Sequence, residues 1–247
     1  MILESCCCGQ MTSKQFALVI FDCDGVLVDS ELITNRVFTN MLSELGMTVT
    51  LEEMFDRFVG RSMAQCLETI RGSLGRDVPE DFVRQYHVRS AAALKAELKA
   101  VPGIEAALEA IQVPYCVASN GSHEKMQTTL GITGLLPKLK DKLFSVSEVS
   151  RGKPFPDLFL YAAGKFGVAP SACAVVEDTP TGVAAGVAAG MTVYGYCAHT
   201  PAQRLIEAGA HCVFDCMGAL PELLRDTQAA TTTSTSRPLV SSVHRGG

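Results

Sequence analysis

Two aspartates directly follow a short apolar run in the segment VIFDCDGVLVDSE, residues 19–31. Asp22 and Asp24 are separated by one residue, and Gly25 comes next. Ionised carboxylates are costly at the end of a buried strand unless a cation or hydrogen-bond donors compensate their charge. We therefore expect this segment to hold a metal ion or to take part in phosphate chemistry.

Two further apolar runs also lead into polar side chains. PYCVA is followed by Ser119 and Asn120, and CAVV is followed by Glu177 and Asp178. In open α/β sheets, ligands bind outside the carboxyl ends of the strands, so these side chains are expected at one edge. Ser119 or Thr179 alone is better explained as a helix cap or turn former, but capping does not require acids at two strand ends.

The acids at these strand ends are suited to a magnesium ion. Asp22, Asp24 and Asp178 together offer hard oxygen ligands and leave room for water, which is the arrangement that Mg²⁺ accepts. The segments around them are poor in histidine, which argues against zinc. The sequence therefore favours Mg²⁺ as the cofactor.

A lysine lies in a loop that two prolines make stiff. In SRGKPFPDLFLYAAGKFG, Lys153 is followed by Pro154 and Pro156, and a helix is expected to begin near Asp157. A lysine at this point can place a positive charge on a phosphoryl group. The alternative is a solvated surface lysine, although the position of Lys153 between two motif-bearing segments favours the phosphate contact.

Short apolar runs alternate with helical patterns along much of the chain. This alternation predicts βαβ units and a parallel sheet, and the nearly continuous hydrophobicity of YCVA and CAVV indicates strands covered on both faces. The predicted strands are Ala17–Phe21, Pro114–Ala118, Ala172–Val176, Thr192–Tyr196 and Cys212–Phe214.

Residues 31–100 interrupt this alternation, because their apolar residues recur at helical spacing. Two possible capping boxes, Thr50 with Glu53 and Ser62 with Gln65, mark further helix starts. The expected fold class is therefore α/β, with a Rossmann-like parallel-sheet core and an inserted small α-helical cap domain.

The domain boundaries follow from these patterns. We expect the core to comprise residues 15–30 and 101–226 and the cap to comprise residues 31–100. Residues 1–14 and the Thr/Ser-rich residues 227–247 are expected to be a disordered leader and tail, because such composition buries little apolar surface.

Composition limits the class of protein. With 247 residues and 47% hydrophobic residues, the chain is long enough for one large domain or a core with an insert. A net charge of -5 argues against a nucleic-acid partner. There is no apolar run of membrane-spanning length and no signal-peptide pattern, so we expect a cytoplasmic protein without a membrane partner.

The ten cysteines form no CxxC pairs, which favours reduced thiols. Cys116, Cys173 and Cys212 lie in apolar stretches and are expected to be buried. The run from Cys6 to Cys8 offers metal-binding chemistry, but no histidine or further cysteine lies nearby, so a disordered leader is the favoured interpretation.

Four segments occur in an order that resembles the haloacid dehalogenase superfamily of phosphotransferases, in the subclass with a helical cap after the first strand. They are DCDGVLVDSE, VASNG, GKPFPDLF and VVEDTPTGVAAGVAAGM. The resemblance covers residues 15 to about 225. The segments VASNGSHEKMQTTLG, DKLFSVSEVSRGKPFPDLFLYAA and GMTVYGYCA are more specifically similar to the bacterial 6-phosphogluconate phosphatases, within the β-phosphoglucomutase-like group.

The resemblance implies a role for each matching residue. Asp22 would be the nucleophile that forms an aspartyl phosphate, and Asp24 would be the general acid and then the general base. Ser119 and Asn120 would hold the phosphoryl oxygens, and Lys153 would neutralise their charge.

The same resemblance implies the metal ligands. Asp22, the backbone carbonyl of Asp24, and Asp178 would bind Mg²⁺, and Glu177 would bind it directly or lie just behind the ligands. The expected partner is a small phosphorylated metabolite, and the expected oligomeric state is a monomer or homodimer.

Differences from relatives indicate the reaction. Dehalogenases of the superfamily do not need an acid at the position of Asp24, whereas phosphoryl transfer does. The β-phosphoglucomutase relatives carry a histidine early in the cap, and SELITNRVF has none, which favours hydrolysis over isomerisation. A mutase-like isomerase and a non-catalytic binding protein on the same fold remain the alternatives.

Substrate choice is expected to depend on the cap. Arg61, in FVGRSM, lies in a loop that reaches the site in relatives, where it would meet a sugar carboxylate such as that of 6-phosphogluconate; the alternative is a solvated surface arginine. His123 is expected at a helix start and outside the catalytic set.

Overall fold

A computed structural model describes residues 16–50, 53–54, 57–59, 61 and 63–225. Its centre is a six-stranded parallel sheet in the order β3-β2-β1-β4-β5-β6. The strands are β1 Leu18–Phe21, β2 Tyr115–Ser119, β3 Leu143–Ser145, β4 Cys173–Glu177, β5 Thr192–Tyr196 and β6 Cys212–Phe214. The predicted parallel-sheet fold is confirmed, and β3 is a strand that the apolar pattern did not predict.

Strand β1 lies between β2 and β4, with Ile20 opposite Cys116 on one side and Val175 on the other. All four of its side chains are fully buried. Val19 and Phe21 pack into one apolar cluster, and the alternate residues pack into a second cluster on the other face. Both faces are therefore covered, as the continuous hydrophobicity predicted.

Helices cover the sheet and form the segment between β1 and β2. They are α1 Glu31–Glu44, α2 Met63–Leu74, α3 Phe82–Glu97, α4 Ile104–Ala110, α5 His123–Ile132, α6 Leu136–Leu139, α7 Asp157–Lys165, α8 Pro180–Ala188, α9 Ala202–Glu207 and α10 Leu220–Arg225. The starts expected at Asp157 and His123 are both observed.

Helices α1–α3 share a third apolar cluster that is separate from the two at the sheet. Phe38 on α1 is at its centre, since its ring makes edge contacts with Phe58, Phe82 and Tyr86. An independent apolar cluster is what a small inserted helical unit requires. The domain boundaries at residues 30 and 101 remain a prediction.

The capping box at Thr50 is confirmed, because its hydroxyl accepts from the Glu53 amide and the Glu53 carboxylate accepts from the Thr50 amide. Ser62 of the second box lies outside the described residues. So do the predicted leader with Cys6–Cys8 and the predicted tail.

The cysteines that the structure describes are unpaired thiols. Cys116 and Cys173 are buried, as expected. Cys212 is only partly buried, because it begins β6 at the edge of the sheet. No helix within the described ranges has both the length and the apolar character needed to cross a membrane.

Candidate active site

The carboxyl ends of β1, β2 and β4 meet at a cavity of about 440 Å³. The predicted site residues that line it are Asp22, Asp24, Arg61, Ser119, Asn120, Lys153 and Glu177. Asp178 is buried directly behind them. The predicted polar residues at the ends of β1, β2 and β4 thus lie together because β1 has both β2 and β4 as neighbours.

Lys153 joins two of these strand ends through its ammonium group. Its Nζ donates to Asp22 Oδ1 at 2.5 Å and to Glu177 Oε1 at 2.7 Å, and its side chain is only 4% exposed. Burial acts to lower the pKa of Lys153, but Asp22 and Glu177 outweigh this and raise it above its ordinary value. The solvated surface lysine, the alternative interpretation, is therefore wrong.

Asn120 fixes the backbone on which Lys153 stands. Its Oδ1 accepts from the Lys153 amide at 2.9 Å, and its Nδ2 donates to the Lys153 carbonyl at 3.2 Å. A Cβ on Gly152 would lie 2.6 Å from Asn120 Oδ1, so this close approach requires glycine. In this structure Asn120 positions Lys153, and its contact with a phosphoryl oxygen stays a prediction.

Glu177 is satisfied by protein donors on both of its oxygens. Oε1 accepts from Lys153, while Oε2 accepts from the amides of Asp178 and Thr179 and from the Thr179 hydroxyl, each at 3.0 Å. The Thr179 hydroxyl in turn caps α8 by accepting from Gly182 N at 3.0 Å. Glu177 therefore fixes the turn from β4 into α8.

Asp22, Glu177 and Asp178 form the acidic cluster in the described part of the chain. Each offers an oxygen, and these atoms lie within 4.8 Å of one another. Both Asp178 oxygens are buried without a hydrogen-bond partner. A Cβ on Gly25, whose φ is +80°, would lie 2.0 Å from Asp178 Oδ2, so the loop carrying Asp24 closes over this carboxylate.

Asp178 is the member of the acidic cluster whose charge no donor among the described residues compensates. Burial, reinforced by Glu31 and Glu177, raises the pKa of Asp178 well above its usual range. Burial likewise raises the pKa of Asp22 to about 7, although Lys153 opposes the shift. Buried carboxylate oxygens without donors fit a hard divalent cation, which would supply the missing positive charge.

Asp24 is held by two donors. Ser30 Oγ donates to Oδ1 at 2.6 Å, and Lys125 Nζ donates to Oδ2 at 2.7 Å. Ser30 is the N-cap residue of α1, yet its side chain makes no capping bond because its hydroxyl is directed to Asp24. The start of α1 is therefore tied to the site.

Lys125 and Glu31 line the cavity and were not anticipated from the sequence. Lys125 lies in the first turn of α5, the helix that follows β2, and its pKa is raised because Asp24 outweighs the lowering effect of burial. The signal was its position three residues after Ser122, whose hydroxyl caps the helix. For Glu31 the sequence offered a weaker indication of a place in the site, namely that it is the first residue of the helix after the loop carrying Asp22 and Asp24.

The remaining predicted residues lie at the periphery. Arg61 is exposed, as the alternative of a surface arginine predicted, but it also lines the cavity. His123 begins α5, as predicted, and its Nε2 lies 3.0 Å from a Glu148 oxygen.

Comparison with known proteins gives consistent matches. Residues 16–190 match the family described as haloacid dehalogenase-like hydrolase. The chain is 37% identical over 206 residues to the 6-phosphogluconate phosphatase of Escherichia coli K12, covering 83% of this chain and 93% of that protein. It is 32% identical over 193 residues to the hexitol phosphatase A of the same organism, covering 76% and 86%.

Solved structures agree with these matches. A haloacid dehalogenase-like protein of Agrobacterium tumefaciens superposes with a TM-score of 0.81 at 34% identity, covering 86% of this chain and 99% of that one. A hydrolase of Deinococcus radiodurans, solved with bound phosphate and sodium, superposes with a TM-score of 0.76 at 32% identity, covering 89% and 100%.

Proposed function

The chain belongs to the haloacid dehalogenase-like hydrolase family, and we propose that it is a Mg²⁺-dependent phosphatase that hydrolyses 6-phosphogluconate through an aspartyl phosphate. The coarser activity, hydrolysis of a phosphoric monoester of a sugar, agrees with the named phosphatases among its relatives. Substrate, metal and intermediate are the specific parts of the proposal.

The observation that carries the proposal is the contact between Lys153 and Asp22 beside the two unpartnered oxygens of Asp178. An anionic nucleophile repels an anionic substrate, so the site must hold positive charge where the phosphoryl group arrives. Lys153 brings one positive charge to this point from within the protein. When bound, Mg²⁺ would supply the rest, held by Asp22, the Asp24 carbonyl and Asp178, with Glu177 directly behind.

In the first step, the Asp22 carboxylate attacks phosphorus while the bond from phosphorus to the sugar oxygen breaks. Asp24 donates a proton to that oxygen, so the sugar leaves as a neutral alcohol. In the second step, water attacks the aspartyl phosphate, Asp24 takes its proton, and the bond from phosphorus to Asp22 breaks. Inorganic phosphate, the free Asp22 carboxylate and protonated Asp24 result, which is the state in which the first step began.

Ser119 and Ser30 suit the roles that this sequence of steps requires. Ser119 Oγ accepts from Gly121 N at 3.0 Å, so its own hydrogen is available for a phosphoryl oxygen. The Ser30 hydroxyl can accept as well as donate, so it can remain with Asp24 in both protonation states. Lys125 holds the other oxygen of Asp24 and fixes the orientation of the carboxylate.

The specific substrate is supported by Arg61 and by one relative. 6-Phosphogluconate carries a phosphate at one end and a carboxylate at the other, and Arg61 lines the cavity that Lys153 and Asp22 also line. A guanidinium group binds carboxylates with paired hydrogen bonds. The E. coli relative is named for the same substrate.

Phosphate release from a panel of compounds tests the proposal. We expect release from 6-phosphogluconate to exceed that from glucose 6-phosphate, hexitol phosphates and nucleotides, and to stop when a chelator removes Mg²⁺. Equal release across sugar phosphates would contradict the specific substrate. Interconversion of glucose phosphates at the rate of hydrolysis would favour a mutase, and binding without turnover would favour a binding protein.

A further inference from the structure

Glu31 presents a buried, unpartnered carboxylate oxygen at the proposed metal site. It is the first residue of α1, it lines the cavity, and its Oε2 is buried without a hydrogen-bond partner. In the described residues, the only other carboxylate oxygens in this condition are the two of Asp178. The Glu31 carboxylate is near enough to Asp178 to raise its pKa, so one ligand between them would serve all three oxygens.

The two lysines of the site do not compensate the charges of Glu31 and Asp178. Lys153 contacts Asp22 and Glu177, and Lys125 contacts Asp24. Glu31 Oε2 and both Asp178 oxygens receive no hydrogen bond from either ammonium group. Burying carboxylate oxygens without donors is unfavourable, so a positively charged or hydrogen-donating ligand is needed beside them.

Distances distinguish a direct ligand from a more distant one. Oxygens bound to one Mg²⁺ lie about 2.0–2.1 Å from the ion, so they are close to one another. Asp22, Glu177 and Asp178 meet this requirement within 4.8 Å, and Glu31 is not part of that set among the described residues. Mg²⁺ gives up its water reluctantly and usually keeps several molecules, which can bridge to a carboxylate further away.

We propose that Glu31 is an outer carboxylate of the metal site, where it accepts a hydrogen bond from a water molecule on the ion. The inference rests on the proposed function, because it assumes Mg²⁺ at Asp22 and Asp178. Such outer carboxylates orient the bound water and increase metal affinity. Since Ser30 already bonds to Asp24, two consecutive residues would tie the start of α1 to the occupied site.

Calorimetric titration with MgCl₂ alone, on the substrate-free and chelator-treated 247-residue chain, tests the inference. We expect Glu31→Gln to raise the Kd for Mg²⁺ by about 10–100-fold. Glu105→Gln is the matched control, because Glu105 is an exposed glutamate in the first turn of α4 and should leave the Kd unchanged. Asp178→Ala should abolish binding, because it removes a direct ligand.

Thermal unfolding of the metal-free proteins separates this role from misfolding. Glu31→Gln replaces an uncompensated buried carboxylate with a neutral amide, so its midpoint should equal or exceed that of wild type. A Kd within about threefold of wild type would overturn the inference. If KM for the sugar phosphate then rises, Glu31 binds a substrate hydroxyl instead.

The same titration distinguishes the two proposals. If wild type binds Mg²⁺ and Asp178→Ala does not, the metal site stands, and a wild-type Kd in Glu31→Gln overturns only the role of Glu31. If wild type itself fails to bind Mg²⁺, the metal dependence in the proposed function and the inference both fail.

Discussion

The two sides of the cavity are built differently. At the carboxyl edge of the sheet, Asp22, Lys153 and Glu177 have side chains that are 11%, 4% and 1% exposed, and they are joined by contacts of 2.7 Å or less. On α1–α3, the ion pair of Arg36 with Glu97, which does not line the cavity, is 54% and 48% exposed. Arg61, which lines the cavity from this side, is also exposed.

This difference separates chemistry from substrate choice. Buried, multiply bonded groups at the sheet edge are held in one geometry, which is what stabilisation of a reacting phosphoryl group requires. Exposed groups near α1–α3 are screened by solvent and contribute less to binding. Changes at the sheet edge should therefore affect turnover of every substrate, whereas changes at Arg61 should affect only some substrates.

The largest effect is expected from Asp22→Asn. The amide keeps an oxygen that accepts from Lys153 but is not a nucleophile, so phosphate release should fall by at least about a thousandfold for every substrate. Circular dichroism and thermal unfolding should show an intact fold. Residual activity within about tenfold of wild type would show that another group attacks phosphorus.

Lys153→Met is expected to reduce activity less than Asp22→Asn does, but to reduce stability as well. Removing one partner from a buried charge cluster leaves Asp22 and Glu177 unpaired, so the free energy of unfolding should fall by about 3–5 kcal/mol. Phosphate release should fall by about 10²–10³-fold, because a charge beside the phosphoryl group is lost. Denaturant unfolding and kinetics with saturating Mg²⁺ measure the two effects.

Two variants serve as controls for Lys153→Met. Lys138 pairs with Glu109 on the surface at 2.6 Å, so Lys138→Met should change neither stability nor turnover appreciably. Lys153→Arg keeps the charge but displaces it, so it should recover stability better than activity. Equal losses in Lys153→Met and Lys138→Met would contradict the contrast between buried and exposed pairs.

The sequence predicted the sheet edge better than its internal contacts. Strand β1 was recognisable because both of its faces are buried and its run is uniformly apolar. Strand β3 was not, because LFS ends in a serine and so offers only two consecutive apolar residues, whereas the equally short β6, CVF, is wholly apolar. A run this short is identified by its pairing with β2, which only the folded structure supplies.

Among the site residues, too, residue types were predictable from local sequence and contacts between distant segments were not. Asp22, Lys153 and Asp178 are marked by residue type beside an apolar strand or a stiff loop. The bonds from Asn120 to the Lys153 backbone join residues 33 positions apart, and the bond from Lys125 to Asp24 spans 101 positions. These contacts depend on how β1, β2 and the loop before α7 pack together in the folded chain. A local sequence pattern does not predict that arrangement.

The smallest and most selective effect is expected from Arg61→Met. Since Arg61 is exposed, loss of its contact should raise KM for 6-phosphogluconate by about three- to tenfold and leave kcat nearly unchanged. Glucose 6-phosphate has the same phosphate and no carboxylate, so its KM should not change. Arg36→Met, which removes an exposed arginine that does not line the cavity, should alter neither constant. An equal rise in KM for both substrates would place Arg61 on the phosphoryl group and would remove the division between chemistry and substrate choice.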